Sequence, residues 1–188
     1  MSASIVTDRI SLIPMTPGFL RACIEGDLRE AQRRIQLSLP HGWPDIADVL
    51  ALRLGQLEAD PALQPWLLRA IALRATGEMI GHIGFHTAPG ASYLGAWSPD
   101  GVEFGFTIFP PHRRRGYARE ASAALMRWAS EVHGVRSFVA TVSPGNIASQ
   151  ALVSALGFVR VGSHADEVDA IEEVFVLDLD AHAENLQG

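Results

Sequence analysis

The feature that most constrains this chain is a change of hydrophobic period inside Val102–Glu131. Val102–Phe109 is almost wholly apolar or β-prone, apart from Glu103. That run suits a buried strand. Pro110-Pro111 closes it, because proline brings no N–H to a sheet ladder. From Ala118 the spacing turns helical. Ala118, Ala121, Ala124, Leu125, Trp128, Ala129 and Val132 fall on one side, with Arg119, Ala123, Arg127 and Ser130 on the other. Between the two lies a basic turn: Arg113, Arg114, Arg115, Gly116, Tyr117 and Ala118.

A turn of that kind suits an anion. The first amides of a helix lack internal partners, and the dipole favours negative charge there. The dipole contributes roughly 0.3–1 kcal/mol, and one charge-assisted hydrogen bond about 1.5–3 kcal/mol. Amides and arginines therefore dominate. Gly116 and Ala118 are small enough for backbone to approach a phosphate oxygen. The absence of a following Gly-Lys-Ser/Thr excludes a nucleotide P-loop. Three arginines also fit a solvated charge run or a nucleic-acid contact. A net charge of −6 and the lack of a second basic cluster of that density argue against nucleic acid.

Downstream, residues 143–158 read SPGNIASQALVSALGF. With Arg113-x-x-Gly116-x-Ala118, then Asn146-x-x-Ser149, then Leu156-Gly157-Phe158, in that order and spacing, the chain resembles the GNAT family of N-acetyltransferases. The opening TDRISLIPMT is similar to the first strand of its ribosomal-protein N-terminal (alanine/serine) acetyltransferase branch. The resemblance implies an α/β fold: a mixed, mostly antiparallel central sheet of about seven strands with about four flanking helices. It implies direct transfer of an acetyl group from acetyl-CoA to an amine. It places Phe106, Thr107, Ile108 and Phe109 along pantetheine, and Arg113, Arg114, Arg115, Gly116, Tyr117 and Ala118 around the pyrophosphate. Asn146 would contact the coenzyme or fix its loop.

The rest of the chain reads as one domain, 1–188. Ile5–Pro14 is a first strand, and Thr16 caps a helix running through Asp27 with Pro17 at its first position. Residues 28–56 are helical in two pieces, broken around Pro40–Asp45, where Trp43 is a core plug or part of a substrate wall. Trp66–Arg74 and Met79–His86 form a hairpin about Thr76-Gly77. His82 and His86 share a face of it, read as half-exposed, but no third metal ligand stands at a recognised spacing. Residues 87–101 form a loop whose Tyr93 and Trp97, with His86, are candidate acceptor-binding groups. Ser137–Val142 is a strand. Asn146 caps a helix with Ile147, Ala148, Ala151, Leu152, Ala155 and Leu156 as its buried stripe, and with Asn146, Ser149 and Val153 on the adjoining flank. Gly157 ends that helix in a left-handed cap, and Phe158–Val161 and Val174–Leu179 are the last strands before a frayed tail, AHAENLQG.

Composition narrows the class further. Cys23 is the lone cysteine, so an internal disulfide framework is excluded and a reducing compartment is suited. No apolar run is long enough to span a bilayer, and MSASIVTDRI carries no signal-peptide pattern. The expectation is a cytoplasmic monomer or homodimer, with no nucleic-acid or membrane partner.

Two residues are read as chemical. Glu103 is the acid of the apolar strand, on the face of Gly105 and Thr107, where partial burial is expected to raise its pKa and make it a base. A structural ion pair is the other reading. A lysine-type amine is neutral about once in 10³ at pH 7, an α-amine roughly one time in ten, so the second needs less help. The family often uses a tyrosine as proton donor on the helix after the second half-site. That helix has none here, and the resemblance puts Ser149 in the place, as donor or thiolate partner. The acceptor stays open between a peptide N-terminus and a small amine, and a non-catalytic acyl-CoA sensor also fits the motif.

Overall fold

The structure, a computed structural model, describes residues 3–44, 46–165 and 171–181. Asp45 of the expected helix break and all of the expected frayed tail after Ala181 lie outside the described residues. In chain order the strands are β1 (Ile5–Val6), β2 (Ile10–Pro14), β3 (Arg69–Leu73), β4 (Met79–Phe85), β5 (Val102–Ile108), β6 (Ser137–Val142), β7 (Val159–Ala165) and β8 (Ile171–Asp178). The helices are α1 (Pro17–Ile24), α2 (Leu28–Ile35), α3 (Ala47–Ala59), α4 (Tyr117–His133) and α5 (Ile147–Ala155). The fold is mixed α/β, with strand order β1-β2-β3-β4-β5-β6-β8-β7. The β5–β6 pair is parallel, whereas β1–β2, β2–β3, β3–β4, β6–β8 and β7–β8 are antiparallel.

The chain divides into two compact units: Met1–Gly84 with Phe106–Leu125, and Phe85–Gly105 with Met126–Gly188. In the first unit the expected single strand is a hairpin, β1 and β2, because Thr7 turns the chain. Its backbone N–H and its hydroxyl both donate to the carbonyl of Ile10, each at 3.0 Å. This split accounts for the eighth strand. The helix expected to run from Thr16 to Asp27 stops at Ile24, and Asp27 caps the next one instead, accepting from the Glu30 N–H at 2.9 Å. Such a cap is worth about 0.5–2 kcal/mol. Thr16 caps α1 as expected, with Pro17 at its first position. Around these helices pack Phe19, Leu20, Leu50, Leu67 and Phe109, together with Trp43, which is the core plug. The strand expected from Trp66 begins at Arg69, since residues 61–67 are taken up in helical turns whose carbonyl at Leu63 accepts from both Trp66 and Leu67. β4 is buried along its whole length, so His82 lies in the core beside Trp43 and Phe109 rather than on a half-exposed face.

The second unit is built on β6, β8 and β7 with the start of β5. β5 meets β6 at Val102↔Phe138 and Glu103↔Val139. β7 and β8 pair from Val159↔Val176 to Ala165↔Ile171, longer than expected, with a register shift between Arg160 and Gly162. Two helical stripes differ from expectation. On α4, Ala121, Ala124, Leu125 and Ala129 are buried as read, but Val132 is exposed, and Ser122 and Met126 are buried instead. On α5 the expected stripe is largely exposed, Ile147 at 68%, and Val153 of the adjoining flank reaches the core at 0%. The alanines of this nine-residue helix, Ala148, Ala151 and Ala155, share one side and offer it little apolar bulk, and the branched Val153 on the flank is the side chain that reaches the core. Gly157 takes the left-handed conformation expected of it, at φ +92°.

Candidate active site

Glu103 is 5% exposed. Strand alternation places it between two donors. β4 leads into His86, whose N–H donates to the Glu103 carbonyl at 2.9 Å. On β6, Thr141 stands two residues beyond Val139, the partner of Glu103, and so on the same face. The Thr141 hydroxyl donates to Glu103 Oε1 at 2.6 Å, and His86 Nδ1 lies 3.2 Å from Oε2. The Tyr93 hydroxyl is a further donor to the same carboxylate. Burial pushes the Glu103 pKa up, but the hydrogen bond and charge of His86 and the hydroxyls of Thr141 and Tyr93 outweigh it, leaving the carboxyl below its ordinary value. The expected upward shift is therefore reversed: burial came with three donors. Gly105 makes room for the imidazole, since a Cβ there would stand 3.0 Å from His86 Nε2.

These groups line a cavity of about 460 Å³ within the second unit. The three candidate acceptor-binding residues read from the sequence, His86, Tyr93 and Trp97, meet in it with Glu103, the candidate base. The loop that carries two of them contains a 3-10 turn, Ser92–Leu94, which buries Leu94 and leaves Tyr93 outside. Trp97 lies across β7: a Cβ on Gly162 would sit 2.5 Å from its indole carbons. Three polar lining residues escaped the sequence reading: Thr141, His164 and Glu172. Alternation along β6 could have found Thr141. His164 and Glu172 face each other only through the β7–β8 register, which no local pattern announces.

The basic turn belongs to the first unit. Gly116 has φ +81° and Arg114 φ +60°. A Cβ on Gly116 would meet only Arg9 Nη2, at 3.4 Å, so backbone conformation rather than crowding selects glycine. Arg113 Nε donates to the Ile108 carbonyl at 2.8 Å, whereas the side chains of Arg114 and Arg115 are exposed. α4 begins at Tyr117, so the amides of Tyr117, Ala118 and Arg119 have no partner within the helix. Exposed cations, a left-handed glycine and open helix amides fit a pyrophosphate. Phe106 and Thr107 are half-buried, but Ile108 and Phe109 are core residues, and the Phe109 N–H is taken by the Ile80 carbonyl at 2.9 Å.

In the second unit Asn146 caps α5, its Oδ1 accepting the Ser149 N–H at 3.1 Å, and Ser149 is half-buried. Cys23 is a core thiol. Trp43 Nε1–H donates to its Sγ at 3.2 Å, and burial, the stronger influence, pushes its pKa up. Among the described residues no group of three His, Cys, Asp or Glu side chains could hold a metal ion, and no helix is long and apolar enough to cross a membrane.

The parallel strands β5 and β6 are joined in the chain through the basic turn and the helix α4. The model of the acetyltransferase (GNAT) domain matches residues 10–159, and the chain belongs to that family, which uses acetyl-CoA. One relative is the uncharacterized N-acetyltransferase YoaA of Bacillus subtilis (strain 168), 33% identical over 92 residues, 49% of this chain and 48% of that protein. The chain spans about half the length, or less, of the curated relatives it matches. A GNAT-family acetyltransferase structure from Bordetella pertussis superposes with TM-score 0.66 at 22% identity, over 93% of this chain and 98% of that one. The microcin C7 self-immunity acetyltransferase MccE, solved with acetyl-CoA and AMP, superposes with TM-score 0.61 at 14% identity, over 92% and 93%. At these identities the two structures show the shared fold.

Proposed function

We propose that the chain transfers the acetyl group of acetyl-CoA directly to a primary amine, and that the acceptor enters the cavity beside Glu103. The observation that carries this reading is the lining of that cavity. Two carboxylates, Glu103 and Glu172, stand with two imidazoles and the aromatic walls of Tyr93 and Trp97, and among the described residues no lysine or arginine lines it. That lining attracts an ammonium group, and its volume of about 460 Å³ suits a compact small-molecule amine. The opening strand's resemblance to enzymes acting on ribosomal-protein N-termini favours a second reading, a peptide α-amine.

The roles follow from the hydrogen bonds. Glu103 is ionised and saturated by donors, so it acts on the amine through His86. With Nδ1–H directed at the carboxylate, the lone pair of the ring lies on Nε2, which takes the proton that the amine gives up. The amine nitrogen bonds to the acetyl carbon as the thioester C–S bond breaks. Ser149, held in the first turn of α5 by the Asn146 cap, supplies a hydroxyl to the departing sulfur. Pantetheine lies along β5, through Phe106–Phe109, much as an added strand would, a placement that rests on the family resemblance. Arg113–Ala118 hold the pyrophosphate, with the exposed Arg114 and Arg115 supplying charge.

The test is an acetyl-CoA titration by calorimetry, followed by thiol release across small amines, peptide α-amines and lysine amines. Binding with release on one class establishes the enzyme and its acceptor. Binding without release across the whole panel favours an acyl-CoA sensor. Gly116→Glu, which puts bulk and negative charge in the turn, should weaken acetyl-CoA binding, and unchanged affinity would remove the turn from the site.

A further inference from the structure

We propose that Arg9, with Glu120 as its counter-ion, is a positioning residue that aims the backbone of the basic turn at an anion and so sets affinity for the pyrophosphate portion of coenzyme A. The inference rests on the reading of Arg113–Ala118 as the pyrophosphate site. Arg9 lies in the turn between β1 and β2, more than a hundred residues before the helix it meets. Its Nη1 donates to the carbonyl of Arg115 at 3.0 Å. Its Nε and Nη2 both reach Glu120 Oε2, at 2.7 and 2.6 Å, and its backbone N–H reaches Oε1 at 3.2 Å. The Thr7 hydroxyl donates to Oε1 at 2.6 Å. The guanidinium carbon stands 4.7 Å from the centre of the Tyr117 ring.

The bond to the Arg115 carbonyl matters most. In a planar trans peptide the C=O of one residue and the N–H of the next point in opposite directions. Fixing the Arg115 oxygen toward Arg9 therefore fixes the Gly116 N–H on the far side of the same plane. That peptide joins Arg115 to the left-handed Gly116, one residue after the left-handed Arg114. One planar fork with five donors can grip a carboxylate and a carbonyl together, which a lysine cannot. Glu120 serves a second purpose. It stands in the first turn of α4, where an uncompensated carboxylate would repel a bound anion, and Arg9 neutralises it. As a stabilising device the cluster is weak, because the Arg9 side chain is 50% exposed and surface ion pairs contribute little. As an orienting device it holds one peptide plane by a defined bond.

The experiment measures affinities of the full chain for CoA and for pantetheine, which lacks the pyrophosphate, alongside steady-state kinetics and thermal melts. Arg9→Ala should lose about tenfold in CoA affinity, the scale of one charge-assisted hydrogen bond. It should keep its pantetheine affinity, its kcat at saturating acetyl-CoA and its KM for the amine. Arg9→Lys should retain most of the loss, because charge without the fork does not hold the Arg115 carbonyl. The double variant Arg9→Ala with Glu120→Gln should bind CoA better than Arg9→Ala alone. Wild-type CoA affinity in Arg9→Ala, an equal loss for pantetheine, or a double variant no better than the single would each overturn the positioning role while leaving the pyrophosphate site standing. Failure of the wild-type chain to bind CoA would overturn both. Should Arg9→Ala not fold, Arg9→Lys against Glu120→Gln carries the same comparison.

Discussion

Replacing Glu103 by glutamine removes one charge while keeping the shape of a side chain that is 5% exposed. The Thr141 hydroxyl, 2.6 Å from Oε1, can still donate to an amide oxygen. The other end is then an NH2 group facing His86 Nδ1, now 3.2 Å from a donor instead of an acceptor. The ring must accept there, so its proton moves to Nε2 and the lone pair that faces the amine is lost. A hydrogen bond to a charged group contributes about 1.5–3 kcal/mol and a neutral one about 0.5–1.5, so two downgraded bonds cost roughly 2 kcal/mol. For a chain of this length that lowers the melting temperature by about 4–8 °C. Turnover should fall further than stability implies, by about 10², the scale of general-base assistance. The assay is thiol release at saturating acetyl-CoA over pH 6–9, with a thermal melt of the same sample. Turnover within about threefold of wild type, in a folded variant with the expected melt, would refute the Glu103–His86 relay.

Gly162→Ala places a methyl 2.5 Å from the Trp97 indole, so the ring must leave its wall. We expect a destabilisation of about 1–3 kcal/mol from overpacking and a raised KM for the amine, read by tryptophan fluorescence and kinetics. An unchanged KM would detach Trp97 from acceptor binding. Ser149→Ala should lower kcat about tenfold with little change in acetyl-CoA affinity, the loss of one hydrogen bond to a developing thiolate. Equal losses in both would indicate a binding role. The folded pKa of Glu103 lies below its ordinary value, so the stability it contributes is fully present above about pH 4.3 and is lost as pH falls through the lower folded value. Acid denaturation followed by circular dichroism should therefore show a shallower limb in Glu103→Gln, and identical limbs would contradict the pKa direction.

Much of the site was legible because it is local. A strand, a basic turn and a helix follow one another in thirty-odd residues, and period alone separates them. Asn146 as a cap and Gly157 as a left-handed stop are read from single residue types whose backbone preferences are strong. The hairpin at Thr7 was not legible: Ile5–Pro14 alternates well enough for one strand, and the hydroxyl of Thr7 decides otherwise. The rotation of α5 was also hidden, since its alanines give a weak periodic signal and burial is settled by what the sheet presents to it.

The sequence by itself determined the order of elements apart from the β1–β2 hairpin, and it singled out Arg113–Ala118 as a candidate anion site, His86, Tyr93 and Trp97 as acceptor-side candidates and Glu103 as a candidate base. Only tertiary structure decided the direction of the Glu103 pKa shift, because a pKa depends on which donors arrive beside the carboxylate, and Thr141 and His86 arrive from separate strands. The same holds for Arg9 and Glu120, and for His164 and Glu172. Their meetings are consequences of strand register and of chain return, and those non-local pairings leave no periodic trace in the residues that make them.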